Sequence, residues 1–287
     1  MSDSVAIAWC DPGEVSGRFM ASVLDITHAS TTDLLSGVRD FHQVVGYLHL
    51  ESGPMIAKAR NQLVSTFLEK DSFKDTEWLL MLDADMTFDE NLVRDLLANV
   101  RNANGKVMYP VMGGLCFGGG HGSIFPTMYR VVEPETNHGN AISIVSEYSD
   151  GEMVNVDATG AACLMIHRGV LEHLQRVHEE PLTWFAPGVY KGMEYGEDWT
   201  FCMRVRKLGY PITVNTAVKV GHMKSVELNE AMYREGASGL RSVNNASPIA
   251  EIREDRRPAR ALPASRPLKR SARRAAGRQR EHDLKAV

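Results

Sequence analysis

Trp78-Leu79-Leu80-Met81-Leu82-Asp83-Ala84-Asp85 decides how the rest of the chain is read. Five consecutive apolar residues read as a buried strand, and the strand runs straight into two carboxylates one residue apart. An Asp-x-Asp triplet by itself is a weak motif, because one arises by chance in a chain of this length. Its position is what informs. In an open α/β sheet, ligands bind beyond the carboxyl ends of the strands. Two carboxylates at that edge offer hard oxygen ligands to Mg²⁺ or Mn²⁺, and such a cation neutralises a diphosphate. The plainer alternative is that Asp85 caps the following turn while Asp83 is solvated.

Upstream, residues 5–10 (VAIAWC) form a short apolar run stopped by Asp11-Pro12-Gly13, which predicts a buried strand and a turn. Residues 18–27 read as a helix and 43–50 as a second strand. Ser52-Gly53-Pro54 opens another helix, with Ile56, Ala59, Leu63, Val64, Phe67 and Leu68 at helical spacing. Downstream, residues 89–100 read as a helix and 107–111 as a fourth strand. This alternation predicts an α/β fold, a mainly parallel sheet with helices on both faces. Beyond it the pattern changes. The glycine-rich stretch at 113–122 (GGLCFGGGHG) suits a mobile loop or a close backbone approach. Residues 125–132, 141–148, 153–156 and 161–167 read as strands of a small antiparallel portion. Helices follow at 169–177 and 197–208, the second ended by Gly209, and strands at 212–214 and 217–220.

The chain has 287 residues and a formal net charge of −4, but the charge is uneven. Residues 251–287 carry twelve Lys and Arg against five Asp and Glu, leaving twenty against thirty-one before them. The body is acidic and the tail basic, so an anionic substrate needs a bridging cation or a local basic group. Residues 1–240 are expected to form one domain of two parts, at about 1–111 and about 112–240. Residues 241–287 lack apolar periodicity and read as a disordered basic tail. The four cysteines have no metal-type spacing and read as reduced core thiols. The N-terminus has no secretion signal and no window is apolar enough to span a bilayer, which points to the cytoplasm, a host's if the chain is phage-encoded.

Three further clusters carry chemistry. Gly196-Glu197-Asp198 opens a helix, where the dipole favours ionised carboxylates, and one of these can accept a proton from a hydroxyl. Val220-Gly221-His222 ends a strand, and a neutral imidazole there completes a site begun by Asp85, with Lys224 balancing phosphate charge. Arg60, beside Asn61, offers a bidentate fork to phosphate or a base edge. A haloacid-dehalogenase-like phosphatase would use Asp83 as nucleophile, but its motif belongs on the first strand, and two strand–helix units precede it here. A nucleotidyltransferase would want a basic Gly-rich loop after the first strand, where Asp11-Pro12-Gly13 stands. Nucleic-acid binding through the basic tail is a further alternative, opposed by the acidic body.

Taken in order, Ala59-Arg60-Asn61, residues 79–85, Thr159-Gly160 with the run to Met165, Gly196-Glu197-Asp198 and Val220-Gly221-His222 resemble a GT-A-fold glycosyltransferase. The likeness is to the small bacterial and phage kind related to family 2, and covers about residues 4–225. It implies a metal-dependent transferase that moves one sugar from a nucleotide-diphosphate sugar, such as a UDP-sugar, to a hydroxyl of a protein or glycan, with Mn²⁺ or Mg²⁺ as cofactor. Asp11, Arg60, Asn61, Asp83, Ala84 and Lys224 would hold the nucleotide and sugar. Asp85 and His222 would bind the metal, with Asp83 beside them. Asp198, or Glu197, would be the acceptor-side base. Trp184 and Phe185 would form an apolar platform for sugar or acceptor, and the loop at 113–122 would close over the site.

Overall fold

The computed structural model describes residues 3–38, 42–120, 123–132, 142–178, 183–190 and 192–224. All of them belong to a unit spanning Met1–Val226; a second unit, Glu227–Val287, lies outside the described residues, and with it the expected basic tail at 241–287. In chain order the elements are β1 (Ser4–Asp11), α1 (Gly17–Leu35), β2 (Gln43–Glu51), α2 (Ile56–Glu69), β3 (Trp78–Leu82), β4 (Met86–Thr87), α3 (Leu92–Leu97) and β5 (Val111–Leu115). Then come β6 (Phe117–Gly120), β7 (Ser123–Pro126), β8 (Met128–Val131), β9 (Ile142–Ile144), β10 (Met153–Val156), β11 (Ala158–Thr159), β12 (Cys163–His167) and α4 (Arg168–Val177). The last are β13 (Gly188–Tyr190), β14 (Met193–Tyr195), α5 (Glu197–Lys207), β15 (Ile212–Lys219) and β16 (Gly221–His222).

The expected α/β architecture is present. Seven strands form one sheet in the order β10-β15-β5-β12-β3-β1-β2. Strands β2, β1, β3, β5 and β15 run one way; β12 and β10 run against them. Every residue of β3 is buried, because α1 and α3 cover one face of the sheet and α2, α4 and α5 the other. Helix α2 buries Ala59, Leu63, Val64 and Phe67 along one stripe, the spacing a 3.6-residue period puts on one face. Each such large apolar side chain contributes about 1.5–3 kcal/mol when removed from water. Ser16 caps α1 by accepting the Phe19 N–H, and Phe19, Val23 and Ile26 face the core. The helix continues to Leu35, well past the expected end at residue 27.

Two expectations need correction. The fourth strand is Val111–Leu115, not residues 107–111, where Val107 makes only an isolated bridge to Arg101 across a turn with Gly105 at φ 77°. The glycine-rich stretch is not a loop that closes over a site: Gly113 and Gly114 lie buried inside β5, and residues 117–120 form β6 against β7. Crowding is the cause. A Cβ on Gly114 would stand 2.9 Å from Val220 Cγ2 and 3.1 Å from Cys163 Sγ, so only glycine lets the strand pass there. The close-approach reading of these glycines holds.

Candidate active site

The carboxyl ends of β1 and β3 and the run from β15 into β16 meet at one edge of the sheet. Asp11 is the last residue of β1, and Asp83 and Asp85 follow β3 directly. β12 starts at this edge because it runs against β3, and the Asp83 N–H donates to the Ala162 carbonyl just before it (3.0 Å). The step that completes the edge is the pairing of β16 with β4, Gly221 opposite Thr87 and His222 opposite Met86. The Met223 N–H then donates to the Asp85 carbonyl (2.8 Å). This register sets the His222 ring beside the Asp85 side chain, 137 positions away in sequence.

His222 Nδ1 lies 2.8 Å from the Phe117 carbonyl, an acceptor, so Nδ1 carries a hydrogen. Its Nε2 faces Asp85 Oδ2 at 3.0 Å. In the neutral ring with Nδ1–H, Nε2 presents a lone pair to a carboxylate, an arrangement that requires a proton or a metal ion between them. Lys224 Nζ also reaches Asp85 Oδ2, at 3.0 Å. This donor set, one carboxylate and one imidazole nitrogen, suits a divalent cation that takes its other ligands from phosphate oxygens and water. Among the described residues no group of three His, Cys, Asp or Glu side chains is placed to hold one metal ion, so Asp83 does not join the Asp85–His222 pair as a third ligand.

Asp83 is held instead by Arg60, whose Nη2 donates to Asp83 Oδ1 at 2.7 Å while Nη1 donates to Glu197 Oε1. Burial opposes the charge on this guanidinium, but Asp83 and Glu197 more than offset it and hold its pKa above the ordinary value. Asp198, next along the first turn of α5, accepts the Trp199 N–H through Oδ1 (2.7 Å). Its Oδ2 has no hydrogen-bond partner among the described residues. Burial raises the Asp198 pKa, and the Glu197 charge adds to the effect. Asp11 accepts the Gly13 N–H (2.9 Å) and pairs with His49 Nε2 (2.7 Å). A cleft of about 610 Å³ joins these groups. Among the described residues six carboxylates line it, those of Asp11, Glu14, Asp83, Asp85, Glu197 and Asp198, against the one lining cation Arg60, with Lys224 held on Asp85 beside it. Ala84 lines the cleft between the two aspartates.

Three expected site residues lie elsewhere. Asn61 turns into the core, where Nδ2 donates to the Ala57 and Phe185 carbonyls and Oδ1 accepts the Trp184 and Phe185 N–H groups. Its amide thus pins the segment before β13 and presents nothing to a nucleotide. Trp184 and Phe185 are fully buried, the Phe185 ring stacked on Phe201 at 4.5 Å, so neither forms a platform. The exposed-looking aromatic pair in the sequence is core, because α5 packs directly over it. Sequence reasoning missed Glu14 on the cleft wall and the aromatic group Tyr129, Tyr195 and Trp199 beside Asp198. Glu14 lies between β1 and α1, Tyr129 and Tyr195 sit on short strands and Trp199 on α5, and no local spacing marks them as one group.

No protein-family model and no curated protein matches the sequence. Among solved structures, A197 from STIV is similar at 18% identity over 78% of this chain and 87% of that one, with a TM-score of 0.44. GalNAc-T7, solved with UDP, GalNAc and Mn²⁺, is similar at 14% identity over 79% of this chain, with a TM-score of 0.47; the match spans 45% of that protein's length. A glycosyltransferase involved in glycosylation of the major capsid of PBCV-1 is similar at 13% identity over 59% of this chain and 62% of that one, with a TM-score of 0.30.

Proposed function

We propose that the chain is a GT-A-type glycosyltransferase that binds a nucleoside-diphosphate sugar with Mn²⁺ or Mg²⁺ and passes a single sugar to an acceptor hydroxyl. The observation that carries this reading is the Asp85–His222 pair, an imidazole nitrogen 3.0 Å from a carboxylate oxygen on the rim of an acidic cleft. A diphosphate entering a cleft of six carboxylates and one arginine meets net repulsion, and a divalent cation on that pair reverses it. Asp85 and His222 would hold the ion, which neutralises the diphosphate as it leaves.

The chain's own groups account for the rest. Arg60 locks Asp83 and Glu197 in place, so Asp83 meets the donor with a fixed carboxylate whose second oxygen suits a ribose hydroxyl. Asp198 Oδ2 is the free acceptor for the proton of the incoming hydroxyl, and the burial that raises its pKa makes it a stronger base. The acceptor oxygen bonds to the anomeric carbon, the bond from that carbon to the diphosphate breaks with its electron pair leaving on phosphate oxygen, and the proton goes to Asp198. The phosphatase alternative needs a free nucleophile on a first strand; Asp83 follows the third strand and is ion-paired to Arg60.

Calorimetric titration of UDP, GDP and ADP with and without Mn²⁺ tests the reading, with Asp85→Ala and His222→Ala alongside. Expected is metal-dependent binding of one nucleotide, lost on chelation and weakened at least about tenfold in both variants. Absence of binding for every nucleotide with metal present would overturn it.

A further inference from the structure

The acceptor side of the cleft opens into a second cavity of about 560 Å³, within the range typical of small-molecule sites. Asp198 is common to both spaces. The cavity wall combines two kinds of group. Aromatic rings come from Phe125, Tyr129, Tyr195 and Trp199, with Tyr195 stacked on Trp199 at 4.1 Å. Hydroxyl-bearing residues Tyr129, Ser143 and Tyr195 share that wall. The indole N–H of Trp199 is buried and has no partner among the described residues, at a cost of about 1–3 kcal/mol. Burial, and then the nearby Asp198 charge, raises the Tyr129 pKa and keeps its phenol a donor.

We infer that this cavity is the acceptor subsite and that the acceptor is a neutral saccharide. The inference rests on the glycosyltransferase reading and narrows its acceptor. A pyranose has apolar C–H faces and a rim of hydroxyls, which matches aromatic faces alternating with single hydrogen-bonding groups. Among the described residues Asp198 is the only charged side chain on the wall, so an anionic acceptor would meet a carboxylate there. A saccharide seated against Tyr195 and Trp199 presents a hydroxyl to Asp198 Oδ2, the group that also faces the donor cleft. The neighbouring cavity of about 710 Å³ on the far side of Trp199, lined by Arg204, Arg206 and Lys207, has the opposite electrostatic character and does not include Asp198.

Saturation-transfer NMR with the methyl glycosides of glucose, galactose and N-acetylglucosamine tests this on the full chain, beside Ser/Thr-containing peptides. Nucleoside-diphosphate binding with Mn²⁺ is measured in the same samples. Expected are saturation of at least one glycoside and about tenfold weaker glycoside binding in Tyr195→Ala and in Ile144→Ala, with nucleotide binding unchanged. Ile144 also lines the cavity and is 42% exposed, so its variant folds even if the Tyr195 change does not. Nucleotide binding without any glycoside binding overturns the inference and leaves the transferase reading standing. Glycoside binding without nucleotide binding keeps the saccharide site and overturns the transferase reading. Peptide binding that the same two variants abolish overturns the saccharide assignment.

Discussion

Arg60 and Asn61 are neighbours in sequence, yet they act in different places. Arg60 reaches the cleft and joins Asp83 to Glu197, whereas Asn61 enters the core and closes four bonds to backbone. A helix turns about 100° per residue, so two adjacent polar side chains cannot share one target. Replacing Asn61 by Ala leaves the Trp184 and Phe185 amides buried without partners. Urea unfolding of Asn61→Ala should show a loss of about 3 kcal/mol, while the folded fraction keeps metal-dependent nucleotide binding. A stability change under 0.5 kcal/mol would show that those amides find other acceptors. Both residues were legible as important; only the direction of each side chain was not.

Strand β5 shows the same at the next scale. Its glycines carry the composition of a loop, but they sit in the middle of the sheet because Val218, Val220 and Cys163 fill the space where a side chain would stand. Those valines lie on β15 and just before β16, which delivers His222 to Asp85. Overpacking β5 therefore acts on the Asp85–His222 pair at a distance. Gly114→Ala should cost about 1–3 kcal/mol and also weaken Mn²⁺-dependent nucleotide binding, read by thermal melting and calorimetry together. Unchanged nucleotide binding would mean that Val220 moves without carrying β16 with it. Strands β1, β2 and β3 and helix α2 were legible to within a few residues, because their apolar periods are regular and their ends carry turn residues. β5 was not, since burial there is set by neighbours from distant parts of the chain.

For the molecule as a whole, the acidic cleft and its partners all lie before residue 225. The unit Met1–Val226 contains every group assigned to donor and acceptor. A chain ending at Val226 should bind nucleoside diphosphate and Mn²⁺ within about twofold of the full chain. Any affinity of the full chain for polynucleotide should vanish with residues 227–287 and their basic stretch, and gel shift beside calorimetry reads both. Loss of nucleotide binding on truncation would place part of the donor site in the missing segment. No helix among the described residues is long and apolar enough to cross a membrane.

The sequence by itself determined the α/β class, the buried strand ending in Asp83 and Asp85, and the acidic start of α5, because each depends on residues near one another in the chain. Apolar period, strand length and turn chemistry act over a few positions and can be read along it. The insertion of β12 between β3 and β5, the pairing of β16 with β4, and the burial of Trp184 and Phe185 were decided only by tertiary structure. Those features depend on which distant segments share a face, and the free energy that selects them is burial summed over the whole sheet. That is why the aspartates and the imidazole that faces Asp85 could be named from the chain alone, while the register that joins them and the aromatic cavity beside the other acidic pair emerged from packing.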